Sequence, residues 1–247
     1  MSDFTNKTVM IIGATGGIGK VVSKRFNSLG AKLLLFSRNE EKLKDLAIEL
    51  KGDREIFVGD ALSKDDIDAA VTKAYDSFGS IDVLVHAVGS IVLKSLHSTN
   101  EQTFRDVLDL NLVSPFLAMN AVMPQMLKQK NGSIVVTSSV AGSKGLMNHE
   151  AISAAKGGLE AMVRSASVTY AKRGIRINGV AMGLVDTPLA KFLTGNELAM
   201  KASVNMHPMA RIGKPDDIVD AIIYLASDSA SWTTGAIIPI DGGMKAN

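Results

Sequence analysis

Short runs of apolar, often β-branched residues alternate along the chain with longer segments in which apolar residues recur every three or four positions. The short runs predict buried strands, and the longer segments predict amphipathic helices. Their alternation over the whole length predicts parallel strands joined by right-handed crossovers, hence a doubly wound α/β sheet of about seven strands. The predicted strands lie at residues 7–12, 31–36, 55–59, 81–87, 132–138, 175–181 and 236–240.

No linker, internal repeat or low-complexity tract interrupts this pattern, so the 247 residues are predicted to form a single domain. Glycines at 30 and 79 follow predicted helices, where C-terminal caps are common. In sheets of this kind, ligands bind beyond the carboxyl ends of the strands. Functional residues are therefore expected directly after each strand.

Composition excludes several classes of function. The chain has 46% hydrophobic and 21% charged residues, and 27 basic against 25 acidic residues give no reason to expect nucleic acid or an anionic membrane as partner. The absence of cysteine excludes disulfides and thiol chemistry, and four histidines without metal-ligand spacing predict no metal site. With no leader pattern and no long unbroken apolar run, a soluble cytoplasmic protein is predicted.

The first predicted strand runs into the glycine-rich turn GATGGIG, residues 13–19, and then into a helix. Such a turn lets the backbone approach a phosphate at the helix N-terminus. Its GxxxGxG spacing differs from the commoner GxGxxG fingerprint, and a purely structural glycine cluster is the alternative. The position after a strand and before a helix favours nucleotide binding.

The second predicted strand ends in Ser37 and Arg38, where NAD-binding proteins carry a carboxylate for the ribose hydroxyl. A guanidinium and a hydroxyl suit a 2′-phosphate instead. This favours NADP(H), with NAD(H) possible. The alternative is that Arg38 is a solvated loop charge.

Taken together, the motifs along the chain resemble those of the short-chain dehydrogenase/reductase family nearly end to end. GATGGIG resembles the family's TGxxxGIG, with Ile12 replacing Thr, and HAVG at 86–89 stands in the place of NNAG. RINGVAMGLVDTPL resembles RxNxVxPGxxxT, with Met182 replacing Pro, and TGAIIPIDGG resembles the C-terminal signature.

The resemblance implies one Rossmann-type NAD(P)-binding domain over residues 1–247, with a substrate lid around 186–212 and a homotetramer or dimer. It implies that Asn111 belongs to a proton relay and that Ser139 is the catalytic serine. Asp60 would contact the adenine, and Val185 and Thr187 would meet the carboxamide and phosphate ends of the cofactor. The expected cofactor-binding residues are Gly13, Thr15, Gly16, Gly17, Ile18, Gly19, Ser37, Arg38, Asp60, Ala61, Ala87, Gly89, Lys156, Val185 and Thr187.

The catalytic helix departs from the family's YxxxK motif. By resemblance, Lys156 holds the nicotinamide ribose, and a tyrosine four residues earlier passes the proton to the substrate oxygen. Ile152 stands there, 13 residues after Ser139, which is the separation expected of the serine–tyrosine pair. Loss of a positioned acid removes about 10²–10⁴ in rate, but hydride transfer does not require it.

His149 is the candidate replacement donor, since it lies three residues before Ile152 and seven before Lys156. It would share their helix face if the helix starts early enough, and imidazole titrates near neutrality. The alternative is an exposed first-turn residue behind an Asn148 cap.

Two functions follow. One is an NADP(H)-dependent oxidoreductase that transfers a hydride to or from a carbonyl, alcohol or conjugated carbonyl, with a non-standard proton donor. The other is a catalytically silent cofactor-binding sensor or partner subunit, which Ile152, His86 and Ala87 favour. An apolar substrate is expected if the methionines around the lid form its pocket rather than ordinary core, namely Met182, Met200, Met206 and Met209.

Overall fold

The computed structural model describes residues 3–247, and all the predicted strands are present in it. The strands are β1 (Thr8–Ile12), β2 (Lys32–Ser37), β3 (Arg54–Val58), β4 (Val83–His86), β5 (Gly132–Ser139), β6 (Ile175–Met182) and β7 (Ile237–Ile240). They form one seven-stranded sheet in the order β3-β2-β1-β4-β5-β6-β7, with every neighbouring pair parallel. The predicted α/β class is confirmed. The predicted domain of residues 1–247 begins with two residues that lie outside the described range.

Helices connect the strands and cover both faces of the sheet. They are α1 (Gly17–Ser28), α2 (Glu40–Glu49), α3 (Lys64–Phe78), α4 (Glu101–Leu108), α5 (Ser114–Gln129), α6 (Glu150–Tyr170), α7 (Lys191–Thr194), α8 (Glu197–Asn205) and α9 (Pro215–Ala226). A π-helical turn at Asp109–Val113 joins α4 to α5, and a 3-10 turn at Val140–Gly142 follows β5.

Alternate residues of each strand point to opposite faces, and each face has its own core. Val9 and Ile11 of β1 pack with α1, α2 and α9, whereas Met10 and Ile12 pack with α3, α5 and α6. Because both faces are covered, central strands such as β1 and β2 appear in the sequence as continuous apolar runs rather than alternating ones.

The sheet order reverses between β1 and β4, which lie side by side at its centre. The chain leaves β1 toward β2 and leaves β4 toward β5, so the loops after these two strands diverge. Their divergence opens a crevice at the carboxyl edge, which is where doubly wound sheets bind ligands.

The long helical run over residues 101–129 is apolar and long enough to cross a membrane by length and composition alone. In this fold 44% of its most apolar window is buried, and α5 packs against β4 and β5. The core of the domain therefore accounts for the buried part of its apolar side chains, while others, such as Phe116, are exposed.

The segment predicted as a lid contains more helix than its weak periodicity suggested. It holds a 3-10 turn at Pro188–Ala190, then α7 and α8, and the side chain of Asn196 caps α8 by accepting from the N–H of Ala199 at 3.0 Å. Helix α8 buries little of its own surface, which explains the weak amphipathic pattern.

Replacement of Ile222→Ala tests the core between α9 and the sheet, where Ile222 is fully buried. The cavity and lost burial should lower the free energy of unfolding by about 2–5 kcal/mol. Urea denaturation at one fixed protomer concentration measures this. The matched control is Ile48→Ala on α2, where the side chain is 79% exposed, and it should change stability by less than ~0.5 kcal/mol. Equal effects of both substitutions would contradict the assignment of the core.

Candidate functional site

A cavity of about 1090 Å³ lies along the carboxyl edge of the sheet, beyond the ends of β1, β2, β4, β5 and β6. Its volume is at the upper end of the range of ~300–1,000 Å³ typical of ligand and cofactor sites. Every residue that the sequence analysis assigned to the site lines it, with the exception of Gly19. The structure thus brings together groups that are up to 174 positions apart, from Gly13 to Thr187.

The glycine-rich turn forms one end of this cavity. Gly13 has φ +86°, and a Cβ there would lie 2.9 Å from the carbonyl oxygen of Ala87. Gly19 lies outside the wall because it packs against the turn itself: a Cβ would be 2.0 Å from the oxygen of Gly13. Only glycine therefore allows α1 to start this close to β1 and β4.

The N-terminus of α1 faces the cavity without an internal counter-charge. Its N-cap residue, Gly16, makes no side-chain capping bond, and the first turn contains no acidic residue. Unpaired N–H groups and the positive end of a helix dipole form an anion site. A phosphate group therefore fits the cradle that the glycines leave open.

Two positively charged side chains lie at the cavity beyond the carboxyl end of β2. Arg38 is exposed, Lys42 lies one turn further along, and both line the cavity. Within residues 3–247 neither has a carboxylate within 4.0 Å. Ser37 is held by Thr15 through a 2.6 Å contact between the two hydroxyl oxygens. The sequence analysis missed Lys42, although its spacing of four residues from Arg38 in a predicted helix start was the available signal.

Asp60 lies after β3 on the same side of the cavity, with Ala61 beside it. The carboxylate accepts from the N–H of Leu62 at 3.0 Å, and the backbone N–H of Asp60 donates to Asp66 at 2.8 Å. These bonds fix the loop on which Asp60 sits.

Lys156 dominates the opposite end of the cavity. Its ammonium is buried and donates to the carbonyl of Thr137, at the end of β5, at 2.8 Å. Burial lowers the pKa of Lys156 to about 8, and the nearby carboxylate of Glu160 acts in the opposite direction. A titratable donor near neutral pH therefore lies beside the strand that carries Ser139.

His86 lies behind Lys156 and does not line the cavity. Its Nε2 is 2.8 Å from the hydroxyl of Ser114. Burial, with a further contribution from Lys156, lowers the pKa of His86 to about 3. The ring is therefore neutral at physiological pH and is a packing group under the lysine.

Asn111 holds the loop that follows β4. Its Nδ2 donates to the Ser90 hydroxyl at 2.9 Å and to the Val107 carbonyl at 3.0 Å, while its Oδ1 accepts from the N–H of Ser90 at 3.1 Å. A Cβ on Gly89 would lie 2.9 Å from that Oδ1 and 3.6 Å from the Lys156 ammonium. Gly89 thus lets Asn111 and Lys156 approach the cavity from two sides.

Ser139 ends β5 at the cavity wall, and its oxygen accepts from the N–H of Ala141 at 3.2 Å. That bond leaves the hydroxyl hydrogen available to a ligand. Ile152 lines the cavity from α6 and packs with Val107, Ala141 and Ala155 in an apolar cluster. The wall between Ser139 and Lys156 is therefore partly apolar.

His149 lies at the cavity but not inside the helix, as α6 begins at Glu150 and His149 is its N-cap residue. The condition that the helix start early enough is therefore not met. The alternative of an Asn148 cap is also wrong, because Asn148 precedes the cap with φ +61°. The His149 Nδ1 donates to the carbonyl of Met147 at 2.7 Å, which leaves Nε2 as the free nitrogen.

The three tyrosines, Tyr75, Tyr170 and Tyr224, all lie outside the cavity wall. Of the lid methionines, Met182 and Met206 line the cavity, whereas Met200 and Met209 do not. The predicted lid segment also contributes the apolar Leu189, Leu193, Ala199 and Ala202, together with the polar Thr187, Ser203 and His207.

His207, which was not among the site residues predicted from the sequence, fastens the segment predicted as a lid to the sheet. Its Nδ1 donates to the carbonyl of Ser203 on α8 at 2.6 Å, and its Nε2 accepts from the N–H of Leu184 after β6 at 3.2 Å. A Cβ on Gly183 would lie 2.6 Å from that Nε2. The buried, neutral imidazole therefore sets the distance between the lid and the strand end.

Replacement of His207→Ala should loosen the predicted lid, because it leaves the N–H of Leu184 unpaired and removes one of the two hydrogen bonds that the Ser203 carbonyl accepts. Such a loss costs about 1–3 kcal/mol. Hydrogen exchange of the α8 amides should become faster, and thermal unfolding should start at lower temperature. His97→Ala is the matched control, since His97 is exposed on a loop away from the cavity. Unchanged exchange in α8 would contradict the role of His207.

Comparison with known proteins adds to this geometry. Residues 13–245 match the family model described as enoyl-(acyl carrier protein) reductase. The 3-oxoacyl-(acyl-carrier-protein) reductase FabG of Thermotoga maritima is 35% identical over 241 residues, covering 96% of this chain and 97% of that protein. The cis-4-hydroxycyclohexanecarboxylate dehydrogenase of Sinomonas cyclohexanicum is 35% identical over 247 residues, covering 98% of each chain.

Solved structures share the fold over their whole length. A levodione reductase superposes with a TM-score of 0.94 at 29% identity, covering 98% of this chain and 99% of that one. The structure of ElxO with NADP bound superposes with a TM-score of 0.92 at 28% identity and covers 100% of both chains.

Proposed function

The chain belongs to the short-chain dehydrogenase/reductase family, and from that premise we propose that it is an NADP(H)-dependent oxidoreductase acting on an apolar carbonyl or conjugated carbonyl. The observation that carries the proposal is the single cavity, with Arg38 and Lys42 at one end and Lys156 with Ser139 at the other. The end with Arg38 and Lys42 suits the phosphates of a dinucleotide, and the end with Lys156 and Ser139 suits the carbonyl or hydroxyl oxygen of a substrate.

The chain would hold the cofactor in four places. The first-turn amides of α1 receive the diphosphate, and Arg38 with Lys42 receives the 2′-phosphate. Lys156 would donate to the nicotinamide ribose hydroxyls, and Val185 and Thr187 would meet the carboxamide and phosphate ends of the cofactor. Bound there, the nicotinamide supplies or accepts the hydride. The NADP-bound state of ElxO, a relative of the same fold, supports this assignment.

The chain's own part in the chemistry is to orient the substrate oxygen and to move one proton. The free hydroxyl hydrogen of Ser139 would donate to that oxygen. Ile152, which we place at the family's tyrosine position, cannot donate a proton. The free Nε2 of His149 lies on the cavity wall and is the proposed proton donor in its place.

The substrate class is proposed from the side chains that line the cavity. Ile152 and its neighbours, together with Leu189, Leu193 and Met206, offer apolar surface rather than hydroxyl partners. Relatives named for a ring alcohol, such as the cyclohexanol dehydrogenase of Acinetobacter, support an apolar substrate.

Self-association is proposed from exposed apolar side chains on α5, on α6 and in the loop before β7. They include Phe116, Val168 and the fully exposed Trp232. A homo-oligomer, tetramer or dimer, would cover them.

A second function has one specific observation in its favour. The apolar cluster around Ile152 removes the proton donor that the family motif provides, which suits a protein that binds the cofactor without turnover. The two functions predict different results for the substitution Ile152→Tyr. In an oxidoreductase with an altered donor, the new phenol should speed up the reaction, whereas a silent binding protein should stay inactive.

The cofactor assignment predicts that the double variant Arg38→Ala/Lys42→Ala binds NADPH about 10–100-fold more weakly, because two charge-assisted contacts are lost. NADH binding should be nearly unchanged. Isothermal titration calorimetry of both cofactors measures the difference. Lys44→Ala is the control, since Lys44 is exposed on α2, away from the cavity, in an ion pair with Glu40. An equal loss for NADH and NADPH would rule out a 2′-phosphate site.

The proton-donor assignment predicts that His149→Phe lowers kcat for reduction of a ketone, with cyclohexanone as probe, by about 10²–10⁴-fold. Ile152→Tyr should increase kcat, because Lys156 stands one turn away to favour the ionised phenol. Steady-state rates with NADPH between pH 6 and 9 measure both effects. His97→Phe serves as the control. An unchanged rate in His149→Phe would eliminate this histidine as donor, and inactivity of both the parent and Ile152→Tyr would favour the silent binding protein.

A further inference from the structure

Glu160 is a buried carboxylate for which neither the fold nor the proposed reaction accounts so far. It lies on α6 one turn after Lys156, and its side chain is only 3% exposed. A carboxylate is rarely buried to this extent unless it is paired or hydrogen-bonded, since removal of its charge from water is strongly unfavourable.

The contacts of Glu160 lead to the end of β5. Its Oε1 accepts from the hydroxyl of Ser138 at 2.9 Å, and Ser138 immediately precedes Ser139. A Cβ on Gly142 would lie 2.7 Å from the same Oε1, and a Cβ on Gly157 would lie 3.2 Å from the Gly142 oxygen. The turn after β5 is therefore pressed against α6 at the level of the carboxylate.

No lysine, arginine or histidine nitrogen within residues 3–247 lies within 4.0 Å of the Glu160 carboxylate. The nearest cation along the helix is Lys156, at the spacing of four residues that puts two side chains on one face. The negative charge of Glu160 raises the pKa of Lys156 against the effect of burial.

The other groups that face Lys156 do not offer a negative charge. His86, from β4, is neutral at physiological pH, because burial and the lysine itself lower its pKa to about 3. The end of β5 supplies the Thr137 carbonyl, the loop after β4 supplies Gly89, and the π-helical turn supplies the neutral Asn111. Glu160 is thus the one carboxylate of residues 3–247 that these contacts place beside the lysine.

We propose that Glu160 is a positioning residue, which holds the Ser138–Ser139 end of β5 against α6 and keeps Lys156 in its charged, donating form. It would not touch the cofactor or the substrate. The proposal rests on the proposed function only in the use of Lys156 to hold the cofactor ribose; the pairing of the two charges does not depend on it.

The first test is the pH dependence of NADPH affinity, measured by calorimetry between pH 6 and 9.5. The charged lysine donates, so affinity should be full below the pKa of Lys156 and should fall as the pH rises through about 8. Glu160→Gln keeps an acceptor for Ser138 but removes the charge. The midpoint of this fall should therefore move about one pH unit lower, which makes binding about threefold weaker midway between the two midpoints and about tenfold weaker well above both.

Two variants separate charge from structure. Glu150→Gln removes a carboxylate from the exposed first turn of the same helix, and its midpoint should stay at the parent value. Ser138→Ala removes the hydrogen bond but keeps the charge, so its midpoint should also stay. A Glu160→Gln protein that is folded by circular dichroism and has the parent midpoint would overturn the charge role.

The second test needs no cofactor and remains informative if Glu160→Gln is poorly stable. Lys156→Met leaves a buried carboxylate without its cation, and burial of an unpaired negative charge is strongly unfavourable for the folded state. The folded state then binds more protons than the unfolded state, and the stability of Lys156→Met should decrease as the pH rises from 5 to 8. The double variant Lys156→Met/Glu160→Gln should lose this pH dependence and unfold several degrees higher than Lys156→Met at pH 8.

The two tests fail in different ways. Additive effects of the single substitutions on Tm, with no pH-dependent recovery, would overturn the pairing whatever the protein binds. If the parent protein binds neither NADPH nor NADH but the double variant recovers stability, the proposed function falls and the pairing of Glu160 with Lys156 stands.

Discussion

A charged ammonium under the surface of the cavity is the constraint on which the site depends. Lys156 is 6% exposed, and an ion at such a place is tolerated only when neighbouring dipoles and charges replace its lost hydration. The Thr137 carbonyl, the loop glycine at 89 and the carboxylate of Glu160 are arranged around it, and the histidine behind it stays neutral. Ser139 and Asn111 occupy their places because the elements that carry them pack against this lysine.

The order of the strands in the sheet determines which other groups share a cavity with Lys156. β1 and β4 are neighbours whose following loops diverge, so the glycine turn and the Gly89 loop open into one cavity. The anion-binding end at α1 and the donor end at α6 are separate in sequence and continuous in space. One elongated ligand with phosphates at one end and a reactive ring at the other matches this arrangement better than two small ligands, which is the physical basis for the proposed dinucleotide.

Much of the fold could be predicted because the sheet is covered on both faces, so the centres of β1, β2 and β5 are short apolar runs. The glycines were informative because backbone geometry at Gly13 and Gly19 admits no side chain. Glu160 and His207 were missed for another reason. Glu160 contacts β5 from α6, and His207 contacts the end of β6, so local spacing carries no record of either contact. Lys42 was also missed, although it did leave a local signal, its spacing of four residues from Arg38. The start of α6 was misjudged because the left-handed Asn148 places the cap one residue later.

The apolar cluster around Ile152 bears on the choice between an altered enzyme and a silent binding protein. A chain that only bound the cofactor would need Lys156 and the glycine turn, but it would need neither a free Ser139 hydroxyl on the cavity wall nor an imidazole with its Nε2 free at the same wall. Both groups lie on the cavity wall, and the cavity continues along apolar side chains of the predicted lid. Since His207 ties that lid to the strand end, the space is a built part of the fold. These features favour a site that holds a second, apolar molecule next to the cofactor, and hence the oxidoreductase.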